Sequence, residues 1–495
     1  MNTAARKYEL EPQSDAYLLD IRARLRRYFE ESAAQRDGWR ARNSYYHRLI
    51  TDFFHARVPK DAEVIEVGCS TGDLLAALNC PKAAGMDFAA PALGIARAKH
   101  PRLEFILDDI ESLSLERQFD CVICTDTLSS AGDVWRAARN LRRLCRPSGK
   151  LIITNNTYIW EPLLRLAEEL GLKARQPLQH WLTQQDIRNL LELSGFEVLE
   201  RGYFALLPVN IPVLSWLANN CLARLPLIKN LCLVWHITAR PAPEPDFKDD
   251  ASVSVIVPTR DEAGHIEPLM RRLPRMGRHT EVVFVDGDST DGTYELLEKA
   301  ARTPPEGFSC KLLKQGGRLG KADAMRKGFA AATGDYFLIL DSDLSVAPED
   351  LPKFYLAMAE GRAEFVNGSR LNYPLQDQAM RYLNNIANHA FGYIFSWLLE
   401  RHLRDTLCGT KTLSRQNYLR IAAGREYFGD FDPFGDFDLL FGAARLGLTI
   451  KEMPVRYRSR AYGDTKISRF SHGWLLLKMC VVAARKLKFS PRRNS

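Results

Sequence analysis

The stretch Gly334-Asp335-Tyr336-Phe337-Leu338-Ile339-Leu340-Asp341-Ser342-Asp343-Leu344 decides the fold of the C-terminal half. An apolar run ends abruptly in two carboxylates one residue apart. If residues 337–340 form a core strand, Asp341 and Asp343 emerge at its C-terminal edge, where ligands of open α/β sheets bind. Carboxylates this close repel one another unless a cation shares them. Their hard oxygens suit Mg²⁺ or Mn²⁺, ions that commonly bridge a protein carboxylate to a diphosphate. Alone, such a pair reads first as an acidic loop after a buried strand, so the flanking sequence has to decide.

Upstream, the pattern of strand, loop and helix repeats. Residues 252–258 (SVSVIVP) alternate β-branched residues and predict a strand, followed by Thr259-Arg260-Asp261-Glu262 and a helix. Residues 281–286 predict a second strand ending in Asp286, then the turn-rich GDSTDG of 287–292 and another helix. Carboxylates at these strand ends suit a nucleobase or ribose. The glycine-rich run 316–323 carries Arg318 and Lys321, cations placed to meet a diphosphate.

The motifs VPTRDEAGHI (257–266), VDGDSTDGT (285–293), GKADAMRKGF (320–329), DSDLSVAPEDLP (341–352), DTLCGTK (405–411), FGDFD (434–438) and GLTIKEMPVRYRSRAYGDTKI (447–467) follow in order. This half resembles the family 2 glycosyltransferases of GT-A fold, and within them the dolichyl- and polyprenyl-phosphate sugar transferases. Gly287 departs from the pattern, since many relatives carry an aspartate there. The resemblance implies inverting transfer from a nucleotide-diphosphate sugar to a polyprenyl-phosphate or glycan acceptor. It implies donor binding by Pro258, Thr259, Glu262, Asp286, Arg318, Lys321, Asp341 and Ser342, and metal binding by Asp341 and Asp343. Asp343, Asp436 and Asp438 are the expected catalytic carboxylates. A hydroxyl acceptor needs one as a base, whereas a phosphate monoester is already anionic near neutral pH. Phe434-Gly435-Asp436-Phe437-Asp438 also reads as a turn over the core.

From Arg456 onward the tail is basic, with Asp464 its only acid and an apolar run at 474–482. That composition suits peripheral contact with an anionic membrane, or equally a helix packed on its own domain with a solvated basic face. Arg460 and Lys466 are placed to meet an acceptor phosphate.

The proline- and charge-rich residues 241–251 read as a linker between a domain at 1–240 and one at 252–495, with a basic amphipathic tail at 471–495. In the first half, a strand at 64–67 runs into Gly68-Cys69-Ser70-Thr71-Gly72 and a helix from Asp73. Glycines admit a close ligand, and a helix start offers free N–H groups. A second apolar stretch ends at Asp87, placed to hold ribose hydroxyls. Asp109-Ile110 follows a third strand, a fourth is expected at 119–124, and Pro147-Ser148-Gly149 precedes a fifth. With Glu66, Gly68 and Gly72, this order resembles the class I S-adenosylmethionine-dependent methyltransferases over about residues 40–240. Ser70 and Ser148 stand where such proteins often have glycine. The resemblance implies a doubly wound α/β sheet with S-adenosylmethionine held by Glu66, Gly68, Ser70, Gly72, Asp87, Asp109 and Ile110. His47, Tyr45, Tyr46 and His180 are candidate bases for a hydroxyl acceptor.

Composition bounds the rest. At 495 residues the chain needs two to three cores, and 46% hydrophobic with 26% charged residues is globular. The +8 charge is modest, and the arginines at 22, 24, 26 and 27 read as a solvated helix face, so no nucleic-acid partner is expected. Ten scattered cysteines suit a reducing compartment. Cys121 and Cys124 lie inside a strand-like run with no second pair, which argues against zinc. Neither a signal peptide nor a transmembrane run is evident, so the expected place is the cytoplasm, at most peripheral on the inner face of the plasma membrane. Residues 204–237 are apolar but broken by proline, and read as a cover over an acceptor pocket, a membrane-touching surface or a core-packing helix pair. Together these readings imply a bifunctional enzyme of glycolipid or surface-glycan assembly; the alternative is a glycosyltransferase whose N-terminal half only binds S-adenosylmethionine or acts as a scaffold.

Overall fold

The computed structural model describes residues 16–175, 181–245, 247, 249–317, 320–370, 373, 382–425, 435–457 and 469–489. The chain divides into two compact units, the first ending at Glu244 and the second resuming at Pro245. Each unit is built on its own seven-stranded sheet.

The first sheet contains β1 (Glu63–Val67), β2 (Lys82–Asp87), β3 (Glu104–Leu107), β4 (Phe119–Thr125), β5 (Cys145–Asn156), β6 (Phe196–Phe204) and β7 (Val234–Pro241). Their order is β3-β2-β1-β4-β5-β7-β6, and β7 alone runs antiparallel to its neighbours. Val64, Ile65 and Val67 of β1 and residues 121–124 of β4 are almost wholly buried. Such continuous apolar strands belong in a parallel sheet covered on both faces. Chain order runs outward in both directions from β1 and β4, so a crevice opens at their C-terminal ends. This is the expected doubly wound α/β fold. Helix Ser44–His55 closes the core here with Ile50, Phe53 and Phe54. Cys121 and Cys124 are buried in β4, and burial pushes each thiol up to about 12, so neither is a ready nucleophile.

Residues 205–233 differ from a core-packing helix pair. They form one short helix, Leu214–Asn220, and the single turns Leu222–Arg224 and Lys229–Leu231. Pro208, Pro212 and Pro226 cut the segment into pieces too short to bury a continuous apolar stripe.

The second sheet contains β8 (Ser252–Thr259), β9 (His279–Asp286), β10 (Phe308–Lys314), β11 (Tyr336–Ile339), β12 (Phe365–Ser369), β13 (Lys411–Ser414) and β14 (Ile450–Pro454). The order is β10-β9-β8-β11-β13-β12-β14, with only β13 antiparallel to its neighbours. The switch between β8 and β11 leaves the C-terminal ends of β8, β9, β10 and β11 on one edge. The helix Arg469–Ala484 joins this core through Met479, Cys480 and Ala483 and leaves Leu477 and Val481 about half exposed. One face of the tail helix thus packs on its own domain, as one of the two readings expected, and the opposite face is exposed. No described helix is long and apolar enough to cross a membrane.

Candidate functional sites

In the second unit, the strand holding Phe337, Leu338 and Ile339 ends one residue before Leu340, and the chain turns out at Asp341. The Asp341 carboxylate accepts an ion-pair contact from Lys321 Nζ at 2.6 Å. Lys321 is the first residue of helix Lys321–Ala331, so its cation stands over the edge rather than along a strand. Ser342 Oγ donates to the Pro258 carbonyl at 3.2 Å, tying this loop to the end of β8. Asp343 is buried, and its Oδ1 accepts the Ser345 N–H at 2.9 Å.

The neighbouring loops interlock with this edge. Asp286, at the end of β9, is buried and accepts from Ser289 Oγ at 2.6 Å and from the Ser289 N–H at 3.2 Å. Asp261 takes the Thr290 N–H at 2.8 Å. Thr259 is buried, with its Oγ1 donating to the Val257 carbonyl. Glu262 is also buried, 2.8 Å from His265 Nδ1. Gln315 bridges the Gly320 carbonyl and Asp323 across the glycine-rich turn. Of the expected donor residues, Pro258, Thr259, Asp286, Lys321, Asp341 and Ser342 thus share one edge, while Glu262 faces its histidine. Arg318, Arg460 and Lys466 lie outside the described residues, as does the side chain of Asp436. Asp438 is buried and pairs with Arg425 Nε at 2.5 Å.

Gly409 was legible only as part of a motif, and its role is spatial. A Cβ at Gly409 would lie 2.2 Å from Asp341 Oδ2 and 2.7 Å from Lys321 Nζ. Its loop is pinned by the buried Asp405, whose carboxylate takes Arg370 Nε at 2.7 Å and Nη2 at 2.8 Å, with the Arg370 side chain 11% exposed. Glu452 accepts the Arg404 and Asp405 N–H groups from the other side. Arg370 has no motif signal; only the tertiary pairing reveals it.

In the first unit, β1 ends just before Gly68, and Gly68 and Gly72 both take φ of +77°. A Cβ on Gly68 would meet Thr127 Oγ1 at 2.3 Å, so the loop passes directly against the segment after β4. Asp87 Oδ2 accepts the Ser70 N–H at 2.8 Å, and Oδ1 accepts the Ala89 N–H at 2.9 Å. A carboxylate offers about four acceptor positions, so Asp87 can still accept from a ligand hydroxyl. Glu66 is buried, and its Oε2 has no hydrogen-bond partner. Burial pushes that carboxyl up to about 8. An orphaned acid beneath a glycine loop is what a bound cationic amine would satisfy, so the donor set fits S-adenosylmethionine. A cleft of about 500 Å³ opens beside the loop, lined by Arg40, His47, Asp73 and Lys99 among others. Arg40 Nε stands 3.6 Å from Asp73.

Two expected residues are otherwise engaged. Asp109 Oδ2 accepts from Arg22 Nη2 at 2.5 Å, and the Ile110 carbonyl accepts from Asn140 at 2.6 Å. Arg22 therefore leaves the solvated face expected for its helix and lies against Asp109. Among the candidate bases, His47 is held down at about 4 by burial and by Arg40, hence neutral. His180 lies outside the described residues. Tyr45 Oη accepts from Asn219 at 3.2 Å. Tyr46 is partly buried against this core and faces Asp126, the residue after β4. Asp126 is in left-handed backbone, φ +54°, and burial pushes its carboxyl up to about 6. Sequence reading gave Asp126 no role; its position at the end of a core strand beside the switch point was the available signal.

Residues 254–420 match the family model for glycosyl transferase family 2, and residues 39–201 match a methyltransferase domain model. The chain joins a methyltransferase domain to a family 2 glycosyltransferase domain. Among relatives of the glycosyltransferase domain, the dolichol-phosphate mannosyltransferase of Pyrococcus furiosus is 35% identical over 227 residues, 43% of this chain and 59% of that protein. The undecaprenyl-phosphate 4-deoxy-4-formamido-L-arabinose transferase of Edwardsiella ictaluri is 33% identical, covering 45% of this chain and 64% of that protein. The chain thus spans only part of the length of the relatives it matches. An S-adenosylmethionine-dependent methyltransferase from Thermotoga maritima superposes with a TM-score of 0.35 and 16% identity, over 43% of this chain and 97% of that one.

Among the described residues of either domain, no group of three or more His, Cys, Asp or Glu side chains could hold a metal ion. In the glycosyltransferase domain, a divalent ion at Asp341 and Asp343 would take further oxygens from substrate or water. That division of ligands is usual for Mg²⁺, which binds through one or two carboxylates plus phosphate oxygens.

Proposed function

We propose that the glycosyltransferase domain moves a sugar, with inversion, from a nucleotide-diphosphate sugar to a polyprenyl phosphate. We further propose that the methyltransferase domain methylates a glycan or glycolipid with S-adenosylmethionine. The observation that carries the first part is Lys321 against Asp341, with Gly409 closing on both. In the reaction an acceptor oxygen forms a bond to the anomeric carbon while the bond to the diphosphate breaks. The negative charge grows on the leaving diphosphate. Lys321 is placed to receive it, and Asp341 with Asp343 would hold Mg²⁺ or Mn²⁺, which would screen the same charge. A polyprenyl phosphate brings its own nucleophilic anion, so it fits a site where Asp438 is already paired with Arg425. A glycan hydroxyl would instead need a free carboxylate base.

The test is an assay of the full chain with a panel of nucleotide sugars and a polyprenyl phosphate. Release of nucleoside diphosphate, abolished in Asp343→Ala, is the expected result. Release of inorganic diphosphate would instead make this half a nucleotidyltransferase.

For the methyltransferase domain, Glu66, Asp87 and the tight Gly68 loop favour cofactor binding, and the Tyr46–Asp126 pair supplies a group to take a proton from a hydroxyl acceptor. The Arg22–Asp109 contact favours the second reading, an N-terminal half that only binds S-adenosylmethionine or acts as a scaffold. Calorimetric titration with S-adenosylmethionine, joined to an assay of methyl transfer to glycolipid, separates them: binding with transfer supports the catalytic reading, binding without transfer supports a binding module, and no heat in wild type but binding in Arg22→Ala supports a scaffold with a covered site. We place the protein at the inner face of a membrane, attached peripherally through the tail helix.

A further inference from the structure

Between β6 and β7 the chain makes an excursion that pairing alone does not require. Phe204 and Val234 are register partners in an antiparallel pair, and the Leu233 N–H bonds the Ala205 carbonyl at 3.0 Å. Neighbours so joined need a turn of about two to five residues. Here residues 205–233 leave and return at the same point. The segment is held by its own contacts: Asn219 bonds both the N–H and the carbonyl of Leu207, and Ser215 Oγ bonds the Val209 carbonyl and the Ile211 N–H. What it holds out is apolar. Val213 is 79% exposed, Trp216 62% and Leu227 87%, with Ile211, Leu214 and Leu231 near half exposed. Val213 keeps φ at +65°, an outlier for a β-branched residue, at the tip of this face.

Charge identifies the occupant. No Asp or Glu occurs between Glu200 and Glu244, whereas Arg224 and Lys229 stand exposed beside the apolar tip. We propose that residues 205–233 are a membrane-contact platform that seats the methyltransferase domain on an anionic phospholipid bilayer. Trp216 and Leu227 enter the headgroup boundary while Arg224 and Lys229 meet lipid phosphates. A second copy of the chain fits less well, because a two-fold contact would set these cations against themselves. The platform leaves the sheet on the same edge as the Gly68 loop, and its Asn219 bonds Tyr45, next to the Tyr46–Asp126 pair. A methyl acceptor carried in the bilayer would thus arrive beside the site. The lipid contact itself does not depend on methyl transfer.

Cys221 provides the test, since among the ten cysteines it alone is exposed. The full chain, labelled there with an environment-sensitive fluorophore, is mixed with vesicles of phosphatidylcholine alone or with phosphatidylglycerol added. A blue shift on the anionic vesicles, with at least tenfold weaker binding for Trp216→Ser/Leu227→Ser or Arg224→Gln/Lys229→Gln, is expected. These side chains are exposed, so the variants should keep the wild-type circular dichroism. Binding with an unshifted label would place contact elsewhere, as on the tail, and overturn the proposal. So would unchanged binding by both variants, or a label shift that follows protein concentration without lipid.

Discussion

At the scale of single residues, glycine and buried charge carry the strongest expectations. Gly409→Ala would drive a methyl group onto Asp341 and Lys321, so sugar transfer should fall at least 100-fold while circular dichroism stays unchanged. Asp405→Ala would leave Arg370 charged and unpaired in the interior, at a cost of about 3–5 kcal/mol, read as a lower urea midpoint for the second unit. Glu66 gives a pH signature. Its carboxyl is shifted from 4.5 to about 8 by burial, so between those values the folded chain keeps a proton that the unfolded chain has released. Stability of the first unit should therefore decline as pH rises from about 5 to 8, and Glu66→Gln should flatten that decline. Thermal melts across pH would show it. The sequence made Asp341, Asp343, Asp87 and the Gly68 loop legible because each sits where an apolar strand stops. It could not show Arg370 with Asp405, or Tyr46 with Asp126, since those partners are brought together only by folding.

At the scale of elements, most strands were readable from apolar runs bounded by glycine, proline and acids. The expectation of a fourth strand over 119–124 and its observed span, Phe119–Thr125, differ by one residue. The tail and the 205–233 segment were not readable in this way. Both are rich in apolar residues, and composition does not say which face is covered. In helix Arg469–Ala484 the covered face holds Met479, 2% exposed, whereas Leu477 is 45% exposed. Met479→Ala should therefore destabilise the second unit by about 2–5 kcal/mol, whereas Leu477→Ala should shift the denaturation midpoint little. If both changes were silent, the helix would not be part of that core.

At the scale of the whole molecule, two sheets with separate cores should unfold separately. Calorimetry should resolve two transitions, one raised by S-adenosylmethionine and the other by a nucleoside diphosphate with Mg²⁺. The position of the boundary is itself testable. The linker expected over 241–251 is partly anchored: Phe247 is buried with its ring 6.5 Å from that of Tyr355, and Tyr355 Oη donates to Asp249 at 2.9 Å. A fragment beginning at residue 245 should thus be more stable to urea than one beginning at 252. Sequence by itself determined that the chain holds two α/β sheets, in which order, and which strand ends carry acids, because burial on both faces of a parallel sheet demands continuous apolar runs punctuated at the ligand edge. Only the tertiary structure decided which acids are free to meet a ligand and which are already taken. It alone paired Asp438 with Arg425 and Asp109 with Arg22, orphaned Glu66 Oε2, and turned the apolar face of 205–233 outward. Those outcomes depend on contacts between residues distant in the chain, which no local pattern encodes.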